Sequence, residues 1–292
     1  MKLFLIVVYV TVAFNTKAQN LNMKISKSVG LVTFSDSISS DFGTGTLIAK
    51  WSDSFHFKVY LVTNKHVLPQ SKQSRTITFK IRNNDLNPNT FLSFEIPIYS
   101  NSNKLLPTVR FAKNDEDVAI VEFPGYSQLR FLDNLLIPYQ LLATKDILSK
   151  NGLSIGTPVF FLGYPSLFFD KRNISPILRR GFVATDPTNN YFFSDELRAS
   201  YYEKYKAFIP ERLNGFLMDA SVFGGSSGSL VFSDPSNVSD DGNILSLGFR
   251  VNYIIEITTF SYSDLNTSSV QKINVGGVIS AEVIKETLDL FP

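Results

Sequence analysis

A chain of 292 residues with 44% hydrophobic and 18% charged residues can bury a sizeable core, which excludes global disorder. The absence of Cys removes disulfides, thiolate nucleophiles, iron–sulfur clusters and the usual structural zinc sites, and a net charge of +2 argues against a general nucleic-acid binder. Only two residues, His56 and His66, can serve any chemistry that needs imidazole.

The first 18 residues read as an export signal. Lys2 supplies the positive start, Leu3–Phe14 form a 12-residue apolar run, and Ala18 provides the small residue at the cut. A run of that length is too short to cross a bilayer as a helix, so no integral membrane segment is expected after removal. Cleavage takes away Lys2 and Lys17, and the 28 basic residues then fall level with the 26 acidic ones. An exported chain without Cys suits a bacterial periplasm or extracellular space.

From residue 19 onward, short alternating or apolar runs are broken by Asn, Asp, Ser, Gly and Pro clusters. Strands are expected at 28–34, 45–49, 58–63, 76–81, 118–123, 158–163, 181–185, 215–219, 229–232 and within 244–259. Pro124–Gly152 reads as the connection between two β halves, with a short helix of its own. Helices are expected at 194–209, behind a Ser or Asp cap, and at 281–290. Many strands with few helices mean an all-β sandwich or barrel rather than βαβ units. No internal repeat is present.

Three segments carry polar side chains at the edges of apolar strands. Tyr60-Leu-Val-Thr-Asn-Lys-His66 is a strand running into a turn that ends on imidazole. Asn114-Asp-Glu-Asp117-Val-Ala-Ile-Val is an acidic turn entering a strand, and only Asp117 directly precedes the apolar run; Asp115 and Glu116 read as solvated turn residues. Met218-Asp-Ala-Ser-Val-Phe-Gly-Gly225-Ser-Ser227-Gly-Ser is a small-residue loop between apolar stretches. Together they supply a base, a carboxylate to orient it and a hydroxyl nucleophile, the minimum for acyl transfer through serine. Gly225 and Ser227 can turn their backbone amides toward one developing oxyanion.

These segments resemble the trypsin-like serine peptidases, in particular their HtrA-like and glutamyl-endopeptidase-like bacterial branches. The resemblance is carried by Gly43-Thr-Gly-Thr-Leu-Ile, Leu61-Val-Thr-Asn-Lys-His66-Val, Asp117-Val-Ala-Ile-Val, Ile155-Gly-Thr-Pro-Val-Phe-Phe-Leu-Gly163 and Asp219-Ala-Ser-Val-Phe-Gly-Gly-Ser-Ser227-Gly. It covers roughly residues 28–290. It implies an all-β fold of two packed six-stranded Greek-key β-barrels, with a C-terminal helix and a helical insertion. The expected organisation is an N-terminal barrel over 19–130, a linker over 131–152, a second barrel over 153–280 with an insertion at 188–213, and a terminal helix over 281–292. It also implies His66, Asp117 and Ser227 as catalytic residues, Gly225 and Ser227 as the oxyanion hole, and Gly248, Phe249 and Arg250 as substrate-binding residues. Arg250 offers a cation for acidic side chains. No cofactor or metal is implied, and the implied partner is a peptide or protein substrate. No residues follow Pro292 for the PDZ domain that many HtrA-like proteins carry, so a chain without one is expected.

Competing readings of the same residues are weaker. Gly224-Gly-Ser226-Ser-Gly228 matches the nucleophile elbow of α/β hydrolases, but that fold needs a His after the nucleophile, and none follows His66. His56 alternates along a strand or hairpin and is expected at the surface. Asp219 has two readings, a buried and paired residue that fixes the nucleophile loop or a contributor to the substrate cleft, and the first is favoured. The acidic stretch 233–243 lacks EF-hand spacing and reads as a solvated turn. The aromatic stripe Tyr201, Tyr202, Tyr205 and Phe208 reads as packing. The alternative function is a catalytically silent or ligand-gated binding module of the same fold.

Overall fold

The computed structural model describes residues 25–35, 40–52, 56–69, 74–83, 90–124, 136–150, 152–165, 168–205, 209–220, 224–233, 246–251 and 275–292. The segment 1–18 expected to be an export signal and the 234–243 part of the acidic stretch lie outside them. No described helix is long and apolar enough to cross a membrane.

The first half holds β1 (Val29–Ser35), β2 (Ser40–Trp51), β3 (Phe57–Thr63), β4 (Thr76–Asn83), β5 (Thr90–Pro97), β6 (Val109–Phe111), β7 (Ala119–Glu122) and β8 (Ile137–Pro138). They form one sheet in the order β5-β4-β1-β2-β3-β7-β6, with β8 parallel to β2. Eight strands therefore stand where six were expected. The additions are small: β8 has two residues and β6 has three. In the connection between the edge strands β5 and β6, Leu106 N–H donates to the Ile98 carbonyl at 3.0 Å and Tyr99 bridges Leu105. Val32, Leu47, Leu61, Ile77, Phe79, Phe94, Val121 and Phe123 fill the interior.

The second half is a closed six-stranded barrel. Its strands are β9 (Pro158–Gly163), β10 (Ile177–Val183), β13 (Gly215–Asp219), β14 (Leu230–Ser233), β15 (Ser246–Val251) and β16 (Val275–Ser280), in the order β10-β13-β16-β15-β14-β9. Closure leaves no open edge along the paired lengths. Between β10 and β13 the chain makes an excursion: β11 (Tyr191–Phe192), a helix Asp195–Tyr205, and β12 (Arg212–Leu213), which pairs with β11. Among the described residues after β1, the α-helices in chain order are α1 (Lys145–Lys150), α2 (Asp195–Tyr205) and α3 (Ala281–Leu288). On α2, Leu197 and Tyr201 pack against the core while Tyr202 faces outward, so the aromatic stripe is only partly packing. Phe208 lies outside the described residues.

The two halves share a third body of apolar side chains. Ile48, Tyr60, Val62, Val118 and Ile120 of the first half join Leu162, Tyr164, Leu217, Leu230 and Ile279 of the second, and Val283, Ile284 and Leu288 of α3. β2, β3 and β7 are therefore buried on both faces, one toward their own barrel and one toward the shared core. That double burial explains the unbroken apolar runs of β3 and β7, where a sheet with one wet face would alternate. Ser280 caps α3 by accepting from Glu282 N–H. Lys50 of β2 donates to the Leu288 carbonyl and to Asp289, and Phe291 packs on Tyr60 at 4.8 Å.

β10 begins four residues before the expected position. Arg179 and Arg180 interrupt the apolar pattern, yet their guanidinium groups lie over the rings of Phe161 and Phe160 on β9, at 5.3 and 5.9 Å. Cation–π stacking lets cationic residues extend an otherwise apolar strand.

Candidate active site

Two doubly buried strands, β3 and β7, position His66 and Asp117. β3 ends at Thr63, Asn64 continues it in extended conformation, and a 3-10 turn over Lys65–Val67 turns the imidazole of His66 toward the seam between the halves. Before β7, Asn114 and Asp115 adopt left-handed φ of 57° and 56°, and Ala112 N–H closes the loop on the Val118 carbonyl. Asn and Asp tolerate that conformation better than other non-glycine residues. The loop leaves Asp117 opposite His66. Its Oδ1 accepts the His66 backbone N–H at 3.0 Å and its Oδ2 lies 2.6 Å from Nδ1. Each carboxylate oxygen thus holds a different part of the same residue.

Asp115 is solvated as expected, 3.4 Å from Lys65. Glu116 is not. It is largely buried, 3.9 Å from Arg212 at the end of the excursion. Burial pushes its carboxyl above the ordinary range, Arg212 opposes that, and the charges of Asp117 and Glu286 add to it. A residue facing solvent on a two-strand reading faces another element once the excursion folds back.

The turn over Gly225–Gly228 is held from the opposite side. Ser227 Oγ lies 2.9 Å from His66 Nε2. Thr44 of β2 donates its N–H to the Ser227 carbonyl at 2.7 Å and its hydroxyl to the Gly225 carbonyl at 2.9 Å, and that hydroxyl accepts the Tyr164 N–H. Ser229 N–H donates to the Ser226 carbonyl at 3.0 Å. Because a peptide is planar and trans, fixing the Ser226 carbonyl fixes the Ser227 N–H in the opposing direction. Among the described residues, the N–H groups of Gly225 and Ser227 have no intramolecular acceptor. Gly225 has φ +83°, and a Cβ there would overlap the Phe42 ring. Both amides are available to an oxyanion.

The His66 side chain is 44% exposed and that of Asp117 is 18% exposed. Burial on its inner side disfavours the imidazolium. The hydrogen bond and charge of Asp117, with a contribution from Asp41, more than offset this, so the pKa lies above its ordinary value. A carboxylate only accepts, so Nδ1 carries the proton toward Asp117 and Nε2 is left to accept from Ser227 Oγ. An imidazole held in that way can take a hydroxyl proton and pass it on.

The remaining expected site residues lie on β15, of which only the backbone is described. Gly248 pairs with Val231 and Ser280, and Phe249 pairs with Leu230 and Ile279, so both have neighbours on each side. Arg250 and Val251 pair with Val278 and Gly277, but on the β14 side the ladder stops at Leu230, three residues after Ser227. Among the described residues, the open edge therefore begins at Arg250 rather than Gly248. Asp219 differs from expectation. It ends β13 exposed, and among the described residues its carboxylate has no hydrogen-bond or ion-pair partner. His56 is exposed, as read. Thr44 and Asn64 were missed as site residues, although both stand inside quoted segments. The available signal was a polar side chain on an otherwise apolar strand end, which demands a buried partner.

The raised pKa has a direct check, because only two imidazoles titrate. In an NMR titration, with His56→Gln used for assignment, the His66 midpoint is expected above the ordinary 6.5. Asp117→Asn removes the charge and is expected to move that midpoint down; a midpoint that stays put contradicts the account. Because folding favours the protonated form, this contribution to stability is present below the unfolded pKa and is lost as pH rises through the folded one.

No family model matches the sequence, and no curated protein matches it. Solved structures do. A scabies mite inactivated protease paralogue, S-I1, is 17% identical, with a TM-score of 0.50 over 91% of this chain and 95% of that one. A serine endoprotease from Yersinia pestis is 13% identical, with a TM-score of 0.47 over 94% of this chain; this chain spans 66% of its length. The protease Anisep from Arthrobacter nicotinovorans is 13% identical, with a TM-score of 0.45 over 91% of this chain and 96% of that one. At such identities the likeness concerns the backbone. The chain has the trypsin-like serine protease fold.

Proposed function

We propose that the protein is a serine endopeptidase that cleaves peptide bonds through an acyl-enzyme. The observation that carries this reading is the unbroken chain from Asp117 Oδ2 to His66 Nδ1, and from His66 Nε2 to Ser227 Oγ, at 2.6 and 2.9 Å. Ser227 Oγ attacks the scissile carbonyl carbon while His66 Nε2 takes its proton. Asp117 orients the ring and stabilises the imidazolium without becoming protonated. The amides of Gly225 and Ser227 receive the oxyanion. His66 then gives its proton to the leaving amine, and a water activated by the same nitrogen hydrolyses the acyl-enzyme.

An active-site fluorophosphonate distinguishes this enzyme from a silent or ligand-gated module of the same fold. Stoichiometric labelling of the wild type is expected, lost in Ser227→Ala and His66→Ala. Asp117→Asn is expected to slow it on the order of 10⁴-fold, since the wrong tautomer then faces Ser227. Folded wild-type protein that takes no label contradicts the proposal.

Substrate recognition is proposed along the open edge of β15, where Arg250 and Val251 offer backbone groups to an extended peptide. Arg250, one residue beyond the last pair with β14 (Leu230–Phe249), is the cation proposed to favour acidic substrate side chains. Profiling with a peptide library is expected to show an acidic preference that Arg250→Ala reduces; a neutral profile, or one unchanged in the variant, removes that assignment.

Export is proposed from the N-terminal segment 1–18. Its test is Edman sequencing of protein recovered from the periplasm or medium of a bacterial host, which is expected to begin at Gln19. An intact Met1 there contradicts cleavage.

A further inference from the structure

Asn64 stands two residues before His66, at the junction of β3 and the 3-10 turn. It is completely buried. A side-chain amide persists in such a place only when its hydrogen bonds are made. Its Nδ2 donates to the Asp117 carbonyl at 2.6 Å, and its Oδ1 accepts the Gly228 N–H at 2.5 Å. A carbonyl can only accept and a backbone N–H can only donate, so the orientation of the amide is determined by its partners.

Those partners belong to the residues of the triad or to their immediate neighbours. Asp117 contributes its carbonyl from one segment. Gly228 contributes the N–H of the peptide that Ser227 begins, and the carbonyl of that same peptide accepts from Thr44 N–H. The Ser227–Gly228 peptide is thereby held at both ends by the first half of the molecule. Asn64 holds one of those ends with a rigid planar group that also holds Asp117, and its own backbone leads directly into His66. Three segments far apart in sequence meet on one amide.

Resting on the reading of Ser227 as the nucleophile, we propose that Asn64 is a positioning residue: its planar amide sets the reach between Ser227 Oγ and His66 Nε2. It does so through backbone groups and without touching substrate. A displacement of Ser227 of the order of 1 Å can cost roughly 10²-fold in rate.

The informative substitution is Asn64→Asp. A protonated carboxyl has nearly the shape of the amide and offers one donor and one acceptor, so it can make both bonds. The ionised form has no donor and faces the Asp117 carbonyl with a negative charge. Burial raises the pKa of such a carboxyl, which brings its ionisation into the range where His66 is also active. The experiment is the rate of fluorophosphonate labelling against pH, with the melting temperature recorded at each pH to confirm folding. The wild-type rate is expected to rise to a plateau as His66 loses its proton. The Asn64→Asp rate is expected to pass through a maximum and then fall at least tenfold as the new carboxyl ionises. Asn64→Ala is expected to be about 10²-fold slow throughout.

A plateau of wild-type shape in folded Asn64→Asp overturns the proposal. So does a rate for Asn64→Ala within threefold of wild type, which decides the matter if Asn64→Asp unfolds at alkaline pH. Wild-type protein that takes no label at any pH overturns the nucleophile assignment itself, a result distinct from either of these.

Discussion

The geometry of the site depends on a single peptide group lying across the seam between the halves. The Ser227 carbonyl accepts from Thr44 N–H and the Gly228 N–H donates to Asn64. Both clamps come from the first half, whereas Ser227 itself belongs to the turn that opens β14 of the second. Without this crossing, two barrels that each fold around their own apolar interior would have no reason to place Ser227 within hydrogen-bond reach of His66. The peptide approaches β2 so closely that a Cβ at 228 would overlap the Thr44 carbonyl oxygen, and its φ of +81° is one that only glycine adopts freely. That carbonyl also accepts from the Thr63 hydroxyl at 2.7 Å, so the strand that leads to His66 is tied to the same point.

The shared core makes this crossing rigid. β2, β3 and β7 supply Thr44, the approach to His66 and the exit from Asp117, and all three are covered on both faces by apolar side chains. Strands packed on both sides cannot shift without disturbing two cores. Tyr164, entirely buried, sends its hydroxyl to the Ile174 carbonyl at 2.9 Å while its backbone N–H bonds Thr44. The second half therefore also holds Thr44, through the Tyr164 N–H at 3.2 Å. α3 completes the arrangement by joining β16 to β2 through Lys50 and the packing of Phe291 on Tyr60.

How legible this was in the sequence depended on whether a residue's role follows from its neighbours in the chain. The apolar runs of β3, β7, β9 and β13 stand out because burial on both faces requires continuous hydrophobicity, and their polar ends mark His66 and Asp117. Gly225 and Ser227 stand out because a small-residue turn between apolar strands is unusual. β5 did not stand out. It is an edge strand that alternates buried and exposed residues and ends in Pro97, so its pattern resembles a loop. Glu116 and Asp219 went the other way for a related cause: one is covered by an excursion about a hundred residues further on, and the other ends its strand in solvent. Neither fate is encoded locally.

Thr44 and Asn64 show where pattern reading stops and physical accounting begins. Both looked like spacers inside recognisable blocks, yet both are fully buried polar residues. Leaving a buried amide or hydroxyl unpaired costs about 1–3 kcal/mol, so each must find partners, and the partners found near the seam are backbone groups, Gly225 and Gly228 of the opposite half and Asp117 of the same one. Ser226 and Ser229 carry the converse lesson. Their hydroxyls are buried without a hydrogen-bond partner among the described residues, even though they flank or nearly flank Ser227. Their positions are set by backbone needs, since Ser229 N–H orients the peptide whose other end is the Ser227 amide. A larger residue at Gly163 would strike the Ser229 side chain, so the space beneath the turn is already full. The turn is thus built from small residues to fit its backbone between two halves, and Thr44 and Asn64 are the two polar side chains whose bonds give that backbone its direction.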